Sequence, residues 1–326
     1  MTTFKEIRGN LIKSTSTDPA NVQAGQIWYN STSQVLKGEE LLEAWAAGGN
    51  MNTARTTLAG AGIQTAGLGF GGYSPLLSSS ESYNGSAWTT TPNLNTARRV
   101  IMGTGLQTSA LAFGGLGAPG ISTNLTATEL WDGSTWTNNP TGLPVANSGG
   151  GTSGTQTAAL MFGGNSYKST TVSFDGSNWT AVPGTLNTGR TNLAGCGTQT
   201  ASLAFGGTTG TITGATELYD GTSWTSNPTG MNTVRSALAG CGTQTAALGF
   251  GGYSPPGTTL QGATELYDGT SWTSSSASMS TARYNLASAK NGTQGSALAF
   301  GGFITAVTAA TEEFTSAPTT KTFTTS

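Results

Sequence analysis

The chain has 326 residues, with 13 basic and 15 acidic side chains, 49 glycines and no histidine. A charged fraction of 9% suits many short strands joined by tight turns rather than amphipathic helices, and the near-neutral balance excludes the basic stripe that non-specific nucleic-acid binding needs. Without histidine the commonest general base and the commonest metal ligand are both missing, so no cofactor is expected, and no apolar run is long enough to cross a bilayer.

In chain order, the opening MTTFKEIRGNLIK carries charges and lacks the apolar stretch of a secretory signal. Residues 1–38 hold a denser set of charges than the rest, including Lys5, Glu6, Arg8, Lys13, Asp18 and Lys37. Asp18-Pro19-Ala20-Asn21, then Gly25-Gln26-Ile27-Trp28-Tyr29-Asn30-Ser31-Thr32-Ser33 and Leu36-Lys37-Gly38, read as a turn leading into a small β-hairpin. This GQIWYNSTS…LKG stretch resembles the opening segment of many structural proteins of tailed phages, especially marine ones. The resemblance covers about a tenth of the chain. It implies a virion-attachment module at 1–38 in which Ile27, Trp28 and Tyr29 meet other virion proteins.

Beyond this module the chain repeats. Six Phe-Gly-Gly triplets begin at Phe70, Phe113, Phe162, Phe205, Phe250 and Phe300, spaced 43 to 50 residues apart. The first five are each followed by an aromatic residue five positions before a tryptophan: Tyr83 and Trp88, Trp131 and Trp136, Phe174 and Trp179, Tyr219 and Trp224, Tyr267 and Trp272. Each unit reads as four strands, A to D. In the fourth unit these are expected near 192–197, 201–206, 216–219 and 223–225. The Gly-Thr-Gln-Thr segments mark short, uniform A–B turns. Asp132-Gly133, Asp175-Gly176, Asp220-Gly221, Asp268-Gly269 and Asn84-Gly85 predict C–D hairpins through type I′ turns. Each glycine pair allows a tight bend after strand B, and each tryptophan is expected to pack between neighbouring units. Cys196 and Cys241 occupy one slot of two units, where other units place Ala61 or Thr104. The expected reading is two small buried side chains, with a disulfide as the alternative.

Glycine pair, aromatic residue and tryptophan together resemble the kelch repeat, over most of residues 39–318. The resemblance implies an all-β, six-bladed propeller. The sixth unit lacks its Asp-Gly turn and tryptophan after Phe314, whereas Trp45 precedes Met51-Asn52-Thr53-Ala54-Arg55 much as Trp224 precedes Met231-Asn232-Thr233-Val234-Arg235. Residues near Glu43–Ala47 are therefore predicted to supply strand D of blade six and close the ring, leaving no open edge. Thr319–Ser326 is a C-terminal tail that either adds a strand to a neighbouring subunit or hangs loose.

A charge pair recurs with the repeat. Arg55, Arg98, Arg190, Arg235 and Arg283 stand just before strand A, and Glu81, Glu129, Glu217, Glu265 and Glu312 stand at the start of strand C. In the third unit the two slots hold Asn147 and Val172, so both charges are lost together. Structural pairing within each blade explains the joint loss, because either charge alone and desolvated is costly. An alternative is an anion-binding arginine ring of the sialidase kind, and Asp-Gly-Thr-Ser-Trp is similar to the Asp box of those enzymes. That motif, however, separates its Asp and Gly, and sialidase chemistry needs non-equivalent groups. Kelch-fold copper oxidases use histidine ligands, which this chain lacks.

The face opposite the Asp-Gly turns carries the variable B–C loops, longest at Leu116–Ala127 and Tyr253–Ala263, in blades two and five across the ring from each other. Tyr73, Tyr167, Tyr253 and Phe303 add aromatic surface there for stacking on a sugar or contact with a protein. No nucleophile, carboxylate pair or phosphate loop rises above the repeat. The expected function is therefore non-enzymatic. The chain is read as a virion component, most simply a tail-associated fibre or adhesin, assembled in the host cytoplasm as a homo-oligomer, without membrane insertion, and binding a host glycan or protein. The alternatives are a carbohydrate-active tail enzyme and a bacterial surface kelch protein.

Overall fold

The computed structural model describes residues 12–20, 22, 25–118, 122–256 and 258–323. Apart from one 3-10 turn at Asn165–Tyr167, every regular element among them is a strand. Contacts divide the chain into two units, residues 1–43 with 315–326 and residues 44–314.

In the larger unit four-stranded antiparallel sheets follow one another along the chain. The fourth is representative, with strand A at Ala194–Gly197, B at Ser202–Phe205, C at Thr216–Tyr219 and D at Trp224–Ser226. Its register places Phe205 opposite both Ala194 and Thr216, and Tyr219 opposite both Ser202 and Trp224. The first sheet runs from Ala59 to Thr91, the second from Met102 to Asn139, the third from Gly151 to Val182 and the fifth from Ala239 to Ser274. Within the larger unit the last holds Ala287–Ser288, Ser296–Phe300, residues 311–314 and residues 44–47 in that order, so residues 44–47 stand in the D position. This is a propeller-like β fold.

Strands A and B are buried on both faces, because successive sheets stack on one another. That stacking selects small residues. A Cβ on Gly195 would lie 2.5 Å from the Phe162 ring of the preceding sheet, and one on Gly240 would lie 2.5 Å from that of Phe205. Each tryptophan of strand D packs on the Phe-Gly-Gly phenylalanine of the sheet before it: Trp136 on Phe70 at 4.9 Å between ring centroids, Trp179 on Phe113 at 4.7 Å, Trp224 on Phe162 at 4.7 Å and Trp272 on Phe205 at 4.9 Å. Trp45 packs on Phe250 at 5.0 Å, and Trp88 on Phe300 at 4.9 Å. Burying an aromatic side chain of this size stabilises by roughly 1.5–3 kcal/mol, so these stacks are the main apolar cement between sheets.

Polar links follow the same cycle. Each strand-D tryptophan donates its indole N–H to a hydroxyl of the preceding sheet, as Trp224 does to Thr171 at 2.9 Å and Trp88 to Thr311 at 2.9 Å. The glutamine of each A–B turn donates to two carbonyls there: Gln199 to Ala159 (3.0 Å) and Phe174 (2.7 Å), Gln64 to Ala297 (3.4 Å) and Phe314 (2.7 Å). Both glycines of each Phe-Gly-Gly triplet have positive φ. The second donates its N–H to the carbonyl of the residue in the arginine slot ahead of strand A of the next sheet, from Gly72 to Arg98 (2.7 Å) through to Gly302 to Arg55 (2.8 Å). Added side chains would foul this junction, since a Cβ on Gly206 would lie 2.8 Å from the Arg235 carbonyl.

Three expectations need correction. The Asp-Gly connections are not two-residue type I′ turns: Tyr219 pairs with Trp224, leaving four residues between them, and only Gly221 has positive φ (97°). Asp220 instead uses its carboxylate, accepting from the Thr222 and Ser223 amides at 2.8 and 2.7 Å, which an aspartate does readily in a turn. The A–B turns are not uniform, because the last sheet inserts Lys290 and Asn291 before its Gly-Thr-Gln segment. Cys196 and Cys241, by contrast, are free and buried, the two small buried side chains that were expected. Their thiols donate to Thr243 O (3.6 Å) and Thr293 O (3.4 Å), and burial pushes Cys241 up to about 12. Finally, residues 319–323 do not hang loose but belong to the strand Thr311–Phe323, and residues 324–326 lie outside the described residues.

The smaller unit contains the expected hairpin, Ile27–Asn30 against Val35–Gly38, with Lys13–Thr15 added in parallel. Trp28 is fully buried, its indole donating to Asp18 at 3.1 Å, and Asn30 and Lys37 donate to the same carboxylate at 2.7 and 2.6 Å. Thr320 and Lys321 bond Glu39 and Glu40 at 3.2 and 3.0 Å.

Candidate partner-binding face

The five arginines are fully buried and each is paired within its own sheet. Arg98 lies 2.8 Å from Glu129, Arg190 3.0 Å from Glu217, Arg235 2.9 Å from Glu265 and Arg283 3.1 Å from Glu312, and Arg55 makes a shorter contact with Glu81. Burial pushes each guanidinium down and the facing carboxylate opposes it. The carboxylate also caps the segment before the arginine. Glu129 accepts from the Asn95 amide (2.7 Å), the Asn95 side chain (3.0 Å) and the Thr96 amide (3.2 Å). Arg98 meanwhile donates to the Gly114 and Ala127 carbonyls at 3.1 and 2.7 Å. This arrangement binds strand A, the Phe-Gly-Gly bend and strand C together, with both charges of each pair buried. Arg283 is the loosest, keeping its ion pair without aligned hydrogen bonds.

The aromatic residues of the B–C side fall into three groups. Tyr253 and Phe303 are brought together through Tyr284, which the sequence reading missed: Tyr284 lies 5.4 Å from Tyr253 and 5.6 Å from Phe303 between ring centroids, edge to face in both cases. Backbone bridges hold them, Ser236 to Tyr253 and Tyr284 to Phe303. Tyr73 stands apart, bridged to Thr56 and with the Arg99 guanidinium 5.3 Å over its ring. Tyr167 lies alone on the 3-10 turn and is half exposed, at 48%.

Neither a scan of protein-family models nor a search of curated proteins found a match to this chain.

Next to Tyr284 begins a feature with no clear sequence signal. Thr57, Val100, Asn192, Ala237 and Asn285 all have positive φ between 48° and 54°, and Gly149 at 65° fills the equivalent place in the third sheet. Such backbone costs a non-glycine residue about 1–3 kcal/mol, most for β-branched side chains such as Thr57 and Val100. A chain of backbone hydrogen bonds offsets it: Asn192 N to Gly149 O (2.7 Å), Ala237 N to Asn192 O (2.9 Å), Asn285 N to Ala237 O (3.0 Å) and Thr57 N to Asn285 O (2.9 Å). These residues line a cavity of about 110 Å³. Lys290 also lines it, together with a second cavity of about 370 Å³ among the A–B turns, and burial pushes its ammonium down. A partly polar depression with the Tyr253–Tyr284–Phe303 row beside it is suited to holding a flat or extended partner by stacking. In the smaller unit, Ile27 and Tyr29 are exposed at 36% and 38%, on the opposite face of their strand from buried Trp28. Trp28 therefore shapes the hairpin, and Ile27 and Tyr29 remain accessible.

Proposed function

We propose that the chain is a non-enzymatic adhesin-type scaffold, a closed six-bladed kelch-like propeller carried on an N-terminal virion-attachment module and attached to the tail of a phage particle. The observation that carries the non-enzymatic part is the use of the charges. The five arginine–glutamate pairs are spent inside the sheets on the same structural task, while side chains that differ between sheets, Tyr253, Tyr284 and Phe303 among them, gather at one face. A scaffold of identical supports with a variable face is what a binding protein requires.

Ring closure is supported by links that pass from the last sheet to the first: the Gly302 amide to Arg55, Gln64 to Phe314, and Trp88 onto Phe300. The virion assignment rests on the resemblance of the GQIWYNSTS segment to phage structural proteins. Host-surface attachment then follows from display of the B–C face, with a glycan or protein as receptor. Electron cryomicroscopy of the assembled particle tests the proposal. Propeller-sized density joined to the tail by a small β module is the expected result, and particles without the chain would overturn the reading.

A further inference from the structure

The third sheet is the one without an arginine–glutamate pair, and its exchanges form a consistent set. Val172 stands where the other sheets place the glutamate and Asn147 where they place the arginine. Pro144 replaces the residue whose amide that glutamate caps, such as Asn95 or Asn232. Proline has no N–H, so the donor leaves along with its acceptor. Asn147 takes over just one of the arginine's tasks, donating to the Gly163 carbonyl at 2.9 Å. The volume of the missing guanidinium and carboxylate is not refilled. It remains as a cavity of about 140 Å³ walled by Pro144, Met161, Val172, Ala181 and Val182.

A cavity of this size with apolar walls holds a benzene-sized group, since an engineered apolar cavity of about 150 Å³ in another protein does so. Lys168 also lines it. Its ammonium donates to the Ala146 carbonyl (3.0 Å) and the Asn165 side chain (3.1 Å), which leaves a third donor for an anionic acceptor. Among the described residues no carboxylate pairs with it. We propose that this cavity is a binding site for a small apolar carboxylate, with an aryl or branched aliphatic group against Met161 and Val172 and the carboxylate on Lys168. The site is independent of any role on a virion.

Titration of the full chain with benzoate, followed by ligand-observed NMR and calorimetry, tests the site, with benzyl alcohol as the uncharged comparison. The expected result is saturable benzoate binding that weakens at least about tenfold, or about 1.4 kcal/mol, in Val172→Phe, which fills the space. The same loss is expected in Asn147→Arg/Val172→Glu, which installs the pair held by the other sheets. Thermal unfolding of each variant shows whether it is folded. Lys168→Met is expected to weaken benzoate severalfold and leave benzyl alcohol unchanged. Absence of benzoate binding to the parent chain, or equal binding to a folded Val172→Phe variant, would overturn the site. Equal loss of both probes in Lys168→Met would overturn the role of the ammonium.

Discussion

Trp45 donates its indole N–H to the Thr264 hydroxyl at 2.8 Å, across 219 positions of chain. The bond repeats what Trp272 does with Thr216, Trp224 with Thr171 and Trp179 with Thr128, each at 2.9 Å and each between adjacent sheets. Residues that precede the first sheet in sequence thus occupy the outer position of the last one.

The ion pairs should be strongly coupled. Arg98 and Glu129 are both fully buried, so Arg98→Met strands a buried carboxylate and is expected to cost about 3–5 kcal/mol. Arg98→Asn with Glu129→Val, the residues of the third sheet, should cost clearly less than the sum of the two single changes. Chemical denaturation of the four proteins in the cycle measures this. Additive losses would show that the two residues act separately.

The glutamine links give a second test. Gln199→Ala strands two carbonyls of the neighbouring sheet, for an expected loss of about 1–3 kcal/mol. Gln199→Glu should be at least as harmful, because an ionised carboxylate has no hydrogen to donate to either oxygen. Thermal unfolding of both variants checks the order.

Much of this was legible in the sequence, because the features that recur are those the repeat needs most. The Phe-Gly-Gly triplets, the tryptophans, the joint loss of Arg and Glu at Asn147 and Val172, and the displacement of Trp45 are large or charged residues whose positions can be counted. The six glutamines recur just as regularly, yet their Gly-x-Gln surroundings read as a turn, and a turn residue reaching the next sheet leaves no local signal. The strained positions Thr57, Val100 and Ala237 could not be read at all, since sheet-to-sheet hydrogen bonds override their backbone preference. The same holds for Asp220, whose side chain chose the turn type.

In the smaller unit, Asp18 is lowered to about 2, first by its hydrogen bond to Lys37 and then by those to Asn30 and Trp28. A depressed carboxylate stabilises the fold above its unfolded value, about 3.9, and that contribution is lost as the pH falls through about 2. The Trp28 indole N–H resonance should therefore stay constant from neutral pH to about 4 and shift around pH 2. A midpoint near 3.9 would show that the carboxylate does not hold the hairpin.

For the proposed binding face, Tyr284→Ala removes the ring that joins Tyr253 to Phe303. Binding of the fluorescently labelled chain to susceptible host cells should fall at least about tenfold, as expected when an aromatic anchor is truncated. Thr229→Ala, on the exposed D side of the fourth sheet, should leave it unchanged.

Closure of the ring by residues 44–47 is the claim on which the rest depends, and Trp45→Ala in the full chain tests it. If the strand is an integral part of the last sheet, unfolding stays a single cooperative transition and stability falls by about 3–5 kcal/mol, comparable to Trp224→Ala in the interior fourth sheet. A Trp45→Ala protein whose midpoint is unchanged, while Trp224→Ala lowers it, would contradict the closure.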